Sequence, residues 1–268
     1  MDDPESVDAT GLSDVTVFKD ADGNVIGALG IEEDDNGGLS ATFGTIDIDA
    51  MLGVDDPDIA QKVRELFALA DPADVAFFQE KPAKLLEFTM SGEIGFGRWG
   101  DGRFFSISEN DDDPSNVDEL TGNQSLHFIF GPAYADNDMP STGTATYNFF
   151  GGTDSTSVSG ATIGNGVTSG SIFVDFSGFA SINMNVDHNG DTFLVNGGLA
   201  LNGAEIYDDG TVSAMNLSMT NCYPGCQTFI DGGFAGPANA SGQPKHIGIE
   251  YDIQAPDVIT GVAAFGNP

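Results

Sequence analysis

Hydrophobic and polar residues alternate along much of the second half of this chain. Ile182, Met184 and Val186 alternate with the polar residues between them, and the segment 246–253 repeats the pattern with Ile247, Ile249 and their neighbours. One apolar face per segment is typical of antiparallel strands that share a single core. Strands are predicted at 126–130, 143–150, 171–176, 181–186, 192–195, 212–219, 228–234, 246–253 and 259–265.

Glycine and turn residues indicate how these strands are connected. The segments 188–191 and 208–210 contain Asn-Gly and Asp-Gly and predict hairpin turns. The segment 100–102 predicts a turn between strands at 93–99 and 103–107. Small residues recur where a closing sheet must bend, for example Gly197 and Gly198. We therefore expect a mainly β fold, an antiparallel β-barrel of about eight strands over residues 92–268.

The first third of the chain has a mixed pattern and predicts a small α+β extension over residues 1–91. Segments 15–18 and 25–29 indicate a hairpin, and residues 56–70 carry an apolar stripe at helical spacing. Asp71 and Pro72 are typical of a helix start, and Pro82 is typical of its end. The extension is thus expected to contain one or two short helices.

Charge narrows the classes of partner. The 268 residues carry 42 Asp and Glu against 8 Lys and Arg, a formal net charge of −34, and no Lys or Arg occurs from residue 104 to residue 244. Nucleic acids and anionic membrane surfaces are bound by clustered basic residues, so neither is an expected partner. No apolar run reaches the length of a transmembrane helix, so direct membrane insertion is not expected.

Asp20, Asp22 and Asn24 form the one candidate metal site. Their oxygen atoms recur at a spacing used by calcium loops, but the twelfth position of such a loop holds Ile31 instead of a bidentate Glu. A hairpin turn explains the same residues. We therefore expect no cofactor unless calcium binds at this turn.

Cys222 and Cys226 are the only cysteines and flank a Tyr-Pro-Gly turn. A disulfide that closes a small loop is one interpretation. A zinc site would need two further ligands, and His127, His188 and His246 are too dispersed to supply them at typical spacing. A redox pair would have two intervening residues and precede a helix, whereas a predicted strand follows here.

Patterns typical of catalysis are missing from the sequence. It contains no Gly-x-Ser-x-Gly elbow and no glycine-rich phosphate loop with a Lys. Haem ligation by one of the three histidines and a Met is an alternative, although strand and turn positions explain each histidine. We therefore expect no enzymatic activity.

Residues 92–268 resemble a known family. Gly233, Phe234, Gly236 and Pro237 form a Gly-x-Phe-x-Gly-Pro-like turn motif, and the closing segment 261–266 ends in Ala-Ala-Phe-Gly. These motifs, with Thr-Gly-Thr at 142–144, resemble the transferrin-binding-protein-like β-barrel. Similar barrels end large bacterial envelope proteins that contain a FecR domain, in which Gly-Arg-Trp (97–99), Leu-His-aromatic (126–128) and paired-cysteine motifs recur. The resemblance implies a barrel fold and an exported protein of the periplasm, cell surface or extracellular space.

The expected function is accordingly an exported binding or interaction module whose partner is a protein or a small molecule. One alternative is a structural spacer in a surface assembly or adhesin. A hydrolase with a site that the sequence does not reveal is a second alternative. Residues 1–5 have neither the basic nor the apolar region of a signal peptide, so the expectation of export depends on the resemblance and the cysteine pair.

Overall fold

The computed structural model describes residues 15–19, 25–33, 39–43, 68–108, 115–132, 134–208, 210–217 and 226–267, with only the backbone of the first three ranges. Strands fall into two sheets. The first contains β1 (Val15–Lys19), β2 (Val25–Glu33), β3 (Leu39–Phe43), β4 (Lys84–Ser91), β5 (Ile94–Ser108) and β6 (Ser115–Phe130). The second contains β7 (Thr144–Gly152), β8 (Ser155–Ser157), β9 (Ile163–Gly164), β10 (Gly166–Asp175), β11 (Phe179–His188), β12 (Asp191–Asn202), β13 (Glu205–Asp208), β14 (Ser213–Asn216), β15 (Cys226–Ala238), β16 (Pro244–Ile253) and β17 (Ile259–Gly266).

The second sheet closes into an antiparallel barrel of eight strand positions, which confirms the predicted fold class. The order around the barrel is β7, β10, β11, β12, β13 with β14, β15, β16, β17 and again β7. β13 and β14 are two halves of one interrupted strand, since both pair with β12 on one side and β15 on the other. The closed sheet leaves no free edge among these eight positions.

The barrel interior is filled by one hydrophobic cluster. Inward-facing side chains from every barrel strand contribute, among them Tyr147, Ile182, Phe234 and Phe265, each at most 2% exposed. The rings of Tyr147 and Phe234 meet edge to face with centroids 5.8 Å apart. In the described part of the barrel, packed side chains thus occupy the interior.

The first sheet is built around the long strand β5. β6 pairs with β5 from Gly95↔Phe130 to Ile107↔Ser115, and on the other side β5 pairs first with β4 and then with β3. Trp99 packs on Phe128 at 4.3 Å between ring centroids. The predicted hairpin of β1 and β2 is confirmed by their antiparallel pairing, Val15↔Gly30.

A single short helix, α1 (Pro72–Glu80), occurs in the part of the chain that the structure describes, and it confirms the helix start predicted at Asp71-Pro72. The Asp71 carboxylate accepts a 2.7 Å hydrogen bond from the Ala73 amide and so caps the helix. Phe78 anchors α1 by stacking on Phe105, with centroids 5.7 Å apart. The helix predicted at 56–70 lies almost entirely outside the described residues. No described helix has the length and apolarity needed to cross a membrane.

Two predicted turns are wrong. At 100–102 the chain does not reverse, because Asp101 adopts a left-handed φ of 52° and forms a bulge within the continuous strand β5. At 208–210 the Asp208 carboxylate accepts hydrogen bonds from the amides of Gly210 and Val212, which gives a loop between the half-strands β13 and β14 instead of a hairpin turn. The predicted turn at 188–191 is confirmed, with positive φ at Asn189 and Gly190 between paired β11 and β12.

The closed barrel begins at Thr144, and the pair β5–β6 belongs to the first sheet. Residues 94–130, expected within a barrel that starts at 92, therefore pair outside it. The division of the chain into domains at 91/92 stays a prediction.

Candidate functional site

The sequence-predicted metal and disulfide residues fall mostly outside the described part of the chain. Asp20, Asp22 and Asn24 lie between β1 and β2 in an undescribed range, so calcium binding stays a prediction. No three His, Cys, Asp or Glu side chains converge on one point among the residues that the structure describes. Cys226 begins β15, is buried and is not a free thiol, whereas Cys222 is undescribed and its pairing stays a prediction.

The residues of the turn motif lie within a strand. Gly233, Phe234, Gly236 and Pro237 belong to the last third of β15, where a bulge separates Ala235 from Ala238 in the pairing with β16. Phe234 points into the barrel core. Gly236 has a φ of +81° and donates its amide to the Pro132 carbonyl at 2.8 Å, which links β15 to the segment after β6. The motif therefore has a structural explanation in this chain.

The most polar buried feature is a segment between the two sheets, residues 153–157 (Thr-Asp-Ser-Thr-Ser), which we call the hydroxyl strap. Thr153, Ser155, Thr156 and Ser157 are each at most 1% exposed. Two histidines supply hydrogen-bonding partners to the strap, one from each sheet. Sequence reasoning missed this segment because nothing in a run of Ser and Thr distinguishes a buried strand from a loop.

His127 of β6 binds the strap from the first sheet. Its Nδ1 lies 2.8 Å from Thr153 Oγ1 and its Nε2 lies 2.7 Å from Thr156 Oγ1. A neutral imidazole can donate through one nitrogen and accept through the other, so both contacts suit the uncharged ring. Burial, aided by the Arg98 cation, lowers the pKa of His127 to about 3. His127 is thus neutral at physiological pH.

His188 of β11 binds the strap from the barrel. Its Nδ1 lies 2.9 Å from Ser155 Oγ, and its Nε2 lies 2.7 Å from Thr162 Oγ1. Burial lowers the pKa of His188, an effect that the carboxylates of Asp257 and Asp191 oppose. A polar opening of about 210 Å³ lies beside this histidine, lined by residues 163–165 and 187–192.

The Ser155–His188 pair resembles two members of a catalytic triad, but its geometry does not suit catalysis. Ser155 is fully buried, so its hydroxyl has no approach for a substrate carbonyl. The second nitrogen of His188 meets the Thr162 hydroxyl, whereas a triad places a carboxylate there. These contacts hold the strap in position instead.

A charge network around the buried Arg98 completes the connection between the sheets. Arg98 Nε donates to Glu87 Oε2 at 3.1 Å, and Arg98 Nη2 lies 3.7 Å from the Asp154 carboxylate of the strap. Glu87 Oε2 also accepts from the Asp154 amide at 3.0 Å. Arg98 is 8% exposed, whereas the side chains of Glu87 and Asp154 are 28% and 46% exposed, so a buried cation is paired with carboxylates that remain in contact with water.

The first sheet covers one outer side of the barrel, which we call the covered flank. Its barrel residues are small: Ala235 of β15, Gly248 of β16, and Val262 and Ala264 of β17. They pack against Ile94, Phe96 and Ile129 of the first sheet. At Gly248 an added Cβ would lie only 3.0 Å from Ile129 Cδ1, so the absence of a side chain allows this close approach.

The opposite side of the barrel, formed by β10–β13 and the beginning of β15, is the open flank. Pairing places five outward-facing residues in one row across it: Asp175, Phe179, Ala200, Tyr207 and Asp231. Phe179 is 49% exposed and Tyr207 43%. Phe173 and Phe229, also exposed, lie diagonal to Phe179 and Tyr207, two residues before Asp175 and Asp231 on the same strands.

Comparisons with known proteins give a weak structural likeness. No protein-family model and no curated protein matches the sequence. One match is a crystal structure of a double mutant of the vaccine antigen transferrin binding protein B from Haemophilus parasuis Hp5. The alignment covers 69% of this chain and 39% of the antigen chain, with 14% sequence identity and a TM-score of 0.38. A second match is a single mutant of the same antigen. This alignment covers 91% of this chain and 61% of the antigen chain, with 12% sequence identity and a TM-score of 0.36.

The chain thus spans about two-fifths to three-fifths of the length of these structures. A likeness at this level carries no information about the partner of this chain.

Proposed function

We propose that this chain is an exported, non-enzymatic interaction module that binds a protein partner on the outer surface of its barrel. The observation that carries the proposal is the open flank. Monomeric proteins seldom leave several large aromatic side chains exposed next to one another unless the surface has a partner. Here Phe173, Phe179, Tyr207 and Phe229 are each more than 40% exposed on adjoining strands.

The packed interior supports a surface site over an enclosed one. Barrels that hold a small molecule keep an open, mainly apolar cavity. In this barrel Tyr147, Phe234, Tyr251 and Phe265 occupy the interior and are each at most 1% exposed. The small-molecule partner considered from the sequence is therefore the weaker candidate.

Export to the bacterial envelope is part of the proposal. It is supported by the family resemblance of the sequence motifs and by the expected Cys222–Cys226 disulfide, which would form in an oxidising compartment. Attachment to a protein with a FecR domain is the more specific form of the same proposal.

Site-specific photo-crosslinking in the organism that produces the protein tests the interaction. Benzoylphenylalanine replaces Tyr207 on the open flank and, as the matched control, Leu86 of β4, which is equally exposed. We expect a discrete protein adduct at position 207 and none at position 86. Adducts at neither position, with the assembly at the cell surface lost when the chain is deleted, would favour the spacer alternative.

Native mass spectrometry with an absorption spectrum tests the packed interior. The purified protein is expected at the mass of the chain alone and without visible absorption. A co-purifying small molecule or haem would contradict a surface-binding module.

A further inference from the structure

We propose that the open flank binds a basic segment of the partner, in which a Lys or Arg side chain lies over Ala200 between the rings of Phe179 and Tyr207. This inference rests on the proposed function and specifies the chemistry of the partner. It depends on the order of residues in the row, on the charge of the surrounding strands and on the exclusion of a second copy of the chain.

The row has a symmetric order of side chains: acid, aromatic, small, aromatic, acid. Asp175 is directly opposite Phe179, Phe179 is opposite Ala200, Ala200 is opposite Tyr207, and Tyr207 is opposite Asp231. Neighbouring strands lie about 4.8 Å apart, so the two aromatic residues are about 10 Å apart with only a methyl group between them. That spacing leaves a depression wide enough for one extended side chain.

The chemistry of the depression suits a cation. Aromatic faces attract Lys and Arg through the negative potential of the ring, and Arg also stacks on such faces. The two carboxylates at the ends of the row add attraction from both sides. Hydrogen bonds from the Ser177 hydroxyl and amide lower the pKa of Asp175, which keeps this carboxylate ionised.

The strands of the open flank bring no cation of their own. The chain has no Lys or Arg from residue 104 to residue 244, a range that contains β10–β14 and the beginning of β15. Glu205 of β13 is two residues before Tyr207 on the same face of the strand and adds further negative charge there. A basic partner would therefore be attracted over a distance and held at the row.

The negative charge of the open flank also disfavours binding of a second copy of this chain at the row. Two copies joined through this flank would bring two rows of carboxylates together, on chains that each carry a formal charge of −34. Like charges that face each other across an interface cost free energy. Anionic lipid surfaces are disfavoured for the same reason.

Binding of synthetic peptides tests the proposal. The probes are capped peptides of about eight residues, long enough to cross the row. One alternates Arg with Leu, one alternates Arg with Ser, and one alternates Asn with Leu. Affinity is measured by calorimetry or fluorescence anisotropy at about 150 mM salt, where the attraction between distant charges is largely screened. The Arg-Leu peptide is expected to bind most tightly.

Matched variants locate the peptide. F179S/Y207S removes both rings and leaves the net charge unchanged, and L217S removes an equally exposed apolar side chain elsewhere on the barrel. We expect F179S/Y207S to weaken Arg-Leu binding about tenfold and L217S to leave it unchanged. D175N/D231N is expected to weaken binding about threefold and to reduce its salt dependence, compared with D138N on an exposed turn. Circular dichroism checks that each variant is folded.

Three results would overturn the inference. Equal affinity of the Arg-Leu peptide for the wild type and for F179S/Y207S would show that the peptide binds through the general negative charge of the chain and not through the two rings. Equal affinity of the Asn-Leu and Arg-Leu peptides would indicate an apolar partner. Dimerisation through the row, measured by sedimentation and abolished in F179S/Y207S, would make a second copy the occupant. If a photo-adduct forms at position 207 and any of these three results is obtained, the proposal of an interaction module is retained. Only the inference of a basic partner is then rejected.

Discussion

The two flanks of the barrel are made from the same alternating strands and differ in the size of their outward-facing residues. On the covered flank these residues are Gly, Ala and Val, and the first sheet packs directly on them. On the open flank they are Phe, Tyr and Asp, and no described sheet covers them. Small outward residues thus mark a side that is buried within the chain. Large aromatic residues bordered by acids mark the side that we propose as the partner surface.

The hydroxyl strap shows a second difference between the flanks. On the covered side, the buried His127 is paired with Thr153 and Thr156, and the buried Arg98 is paired with the partly exposed Glu87 and Asp154. Buried polar groups stabilise a fold only when their hydrogen bonds are satisfied. The junction between the sheets is therefore specific in its geometry, whereas the polar groups of the open flank remain hydrated.

The largest effect is expected from a charge placed on the covered flank. A264E puts a carboxylate at a position that is fully buried against the first sheet. We expect the free energy of unfolding to fall by about 4 kcal/mol, or the two sheets to separate. Denaturant titration measures the change.

The matched control for A264E is A200E, which introduces the same side chain into the half-exposed row on the open flank. Its effect on unfolding is expected to stay within about 0.5 kcal/mol. Similar losses in the two variants would break the distinction between covered and open flanks.

Acid is expected to weaken the junction through His127. The folded-state pKa of about 3 lies below the ordinary value of 6.5, so the folded state binds fewer protons than the unfolded state between these pH values. The stabilisation is complete above pH 6.5 and is lost as the pH falls toward 3. Between about pH 6.5 and 4 this histidine alone is expected to cost about 3 kcal/mol.

Substitution H127Q isolates this contribution from that of the carboxylates. Its amide can donate to one Thr hydroxyl and accept from the other without titrating. The free energy of unfolding of H127Q should fall less steeply with decreasing pH than that of the wild type. Parallel curves for the two proteins would mean that His127 does not govern acid stability.

A single hydroxyl of the strap is expected to have a moderate effect. T156V keeps the shape of the side chain and removes the hydroxyl that contacts His127 Nε2. This nitrogen atom then remains buried without that hydrogen bond. A loss of about 1–2 kcal/mol is expected in thermal or denaturant unfolding. T144V on β7, where the side chain is exposed, serves as the control and should be neutral or slightly stabilising. Equal effects of T156V and T144V would show that the strap hydrogen bonds add no stability.

The smallest effect on stability is expected on the open flank. F179S/Y207S, which should impair partner binding, is predicted to change the free energy of unfolding by less than about 1 kcal/mol because about half of each side chain already contacts water in the folded state. Chemical denaturation checks this. A loss of several kcal/mol would mean that the row serves the fold of the barrel and would remove the main support for a binding surface.

Much of the barrel could be predicted from local pattern. The alternation in 181–186 and 246–253 corresponds to β11 and β16, and the Asn-Gly pair at 189–190 corresponds to a tight hairpin turn. The start of α1 was evident from Asp71 and Pro72 because capping depends on adjacent residues. The connection between β13 and β14 was predicted as a hairpin turn because an Asp-Gly dipeptide is typical of such turns, and only the pairing of both half-strands with β12 and β15 shows otherwise.

The candidate sites were much harder to predict. The row on the open flank draws one residue from each of five strands between 175 and 231, so no window of sequence contains it. The strap and its histidines are separated by 26 to 33 residues and are likewise invisible to local pattern. A fully buried Thr and an exposed Thr look the same in a sequence.

By itself, the sequence determined that the chain is an acidic, mainly β protein with one apolar face per strand, because period and composition are local properties. The tertiary structure alone decided that the barrel interior is filled, that the first sheet covers the small outward residues of β15–β17, and that Phe179 and Tyr207 flank Ala200 between two carboxylates. The physical reason is register: pairing between strands sets which distant side chains share a face, and a shift of one residue would reverse every one of them.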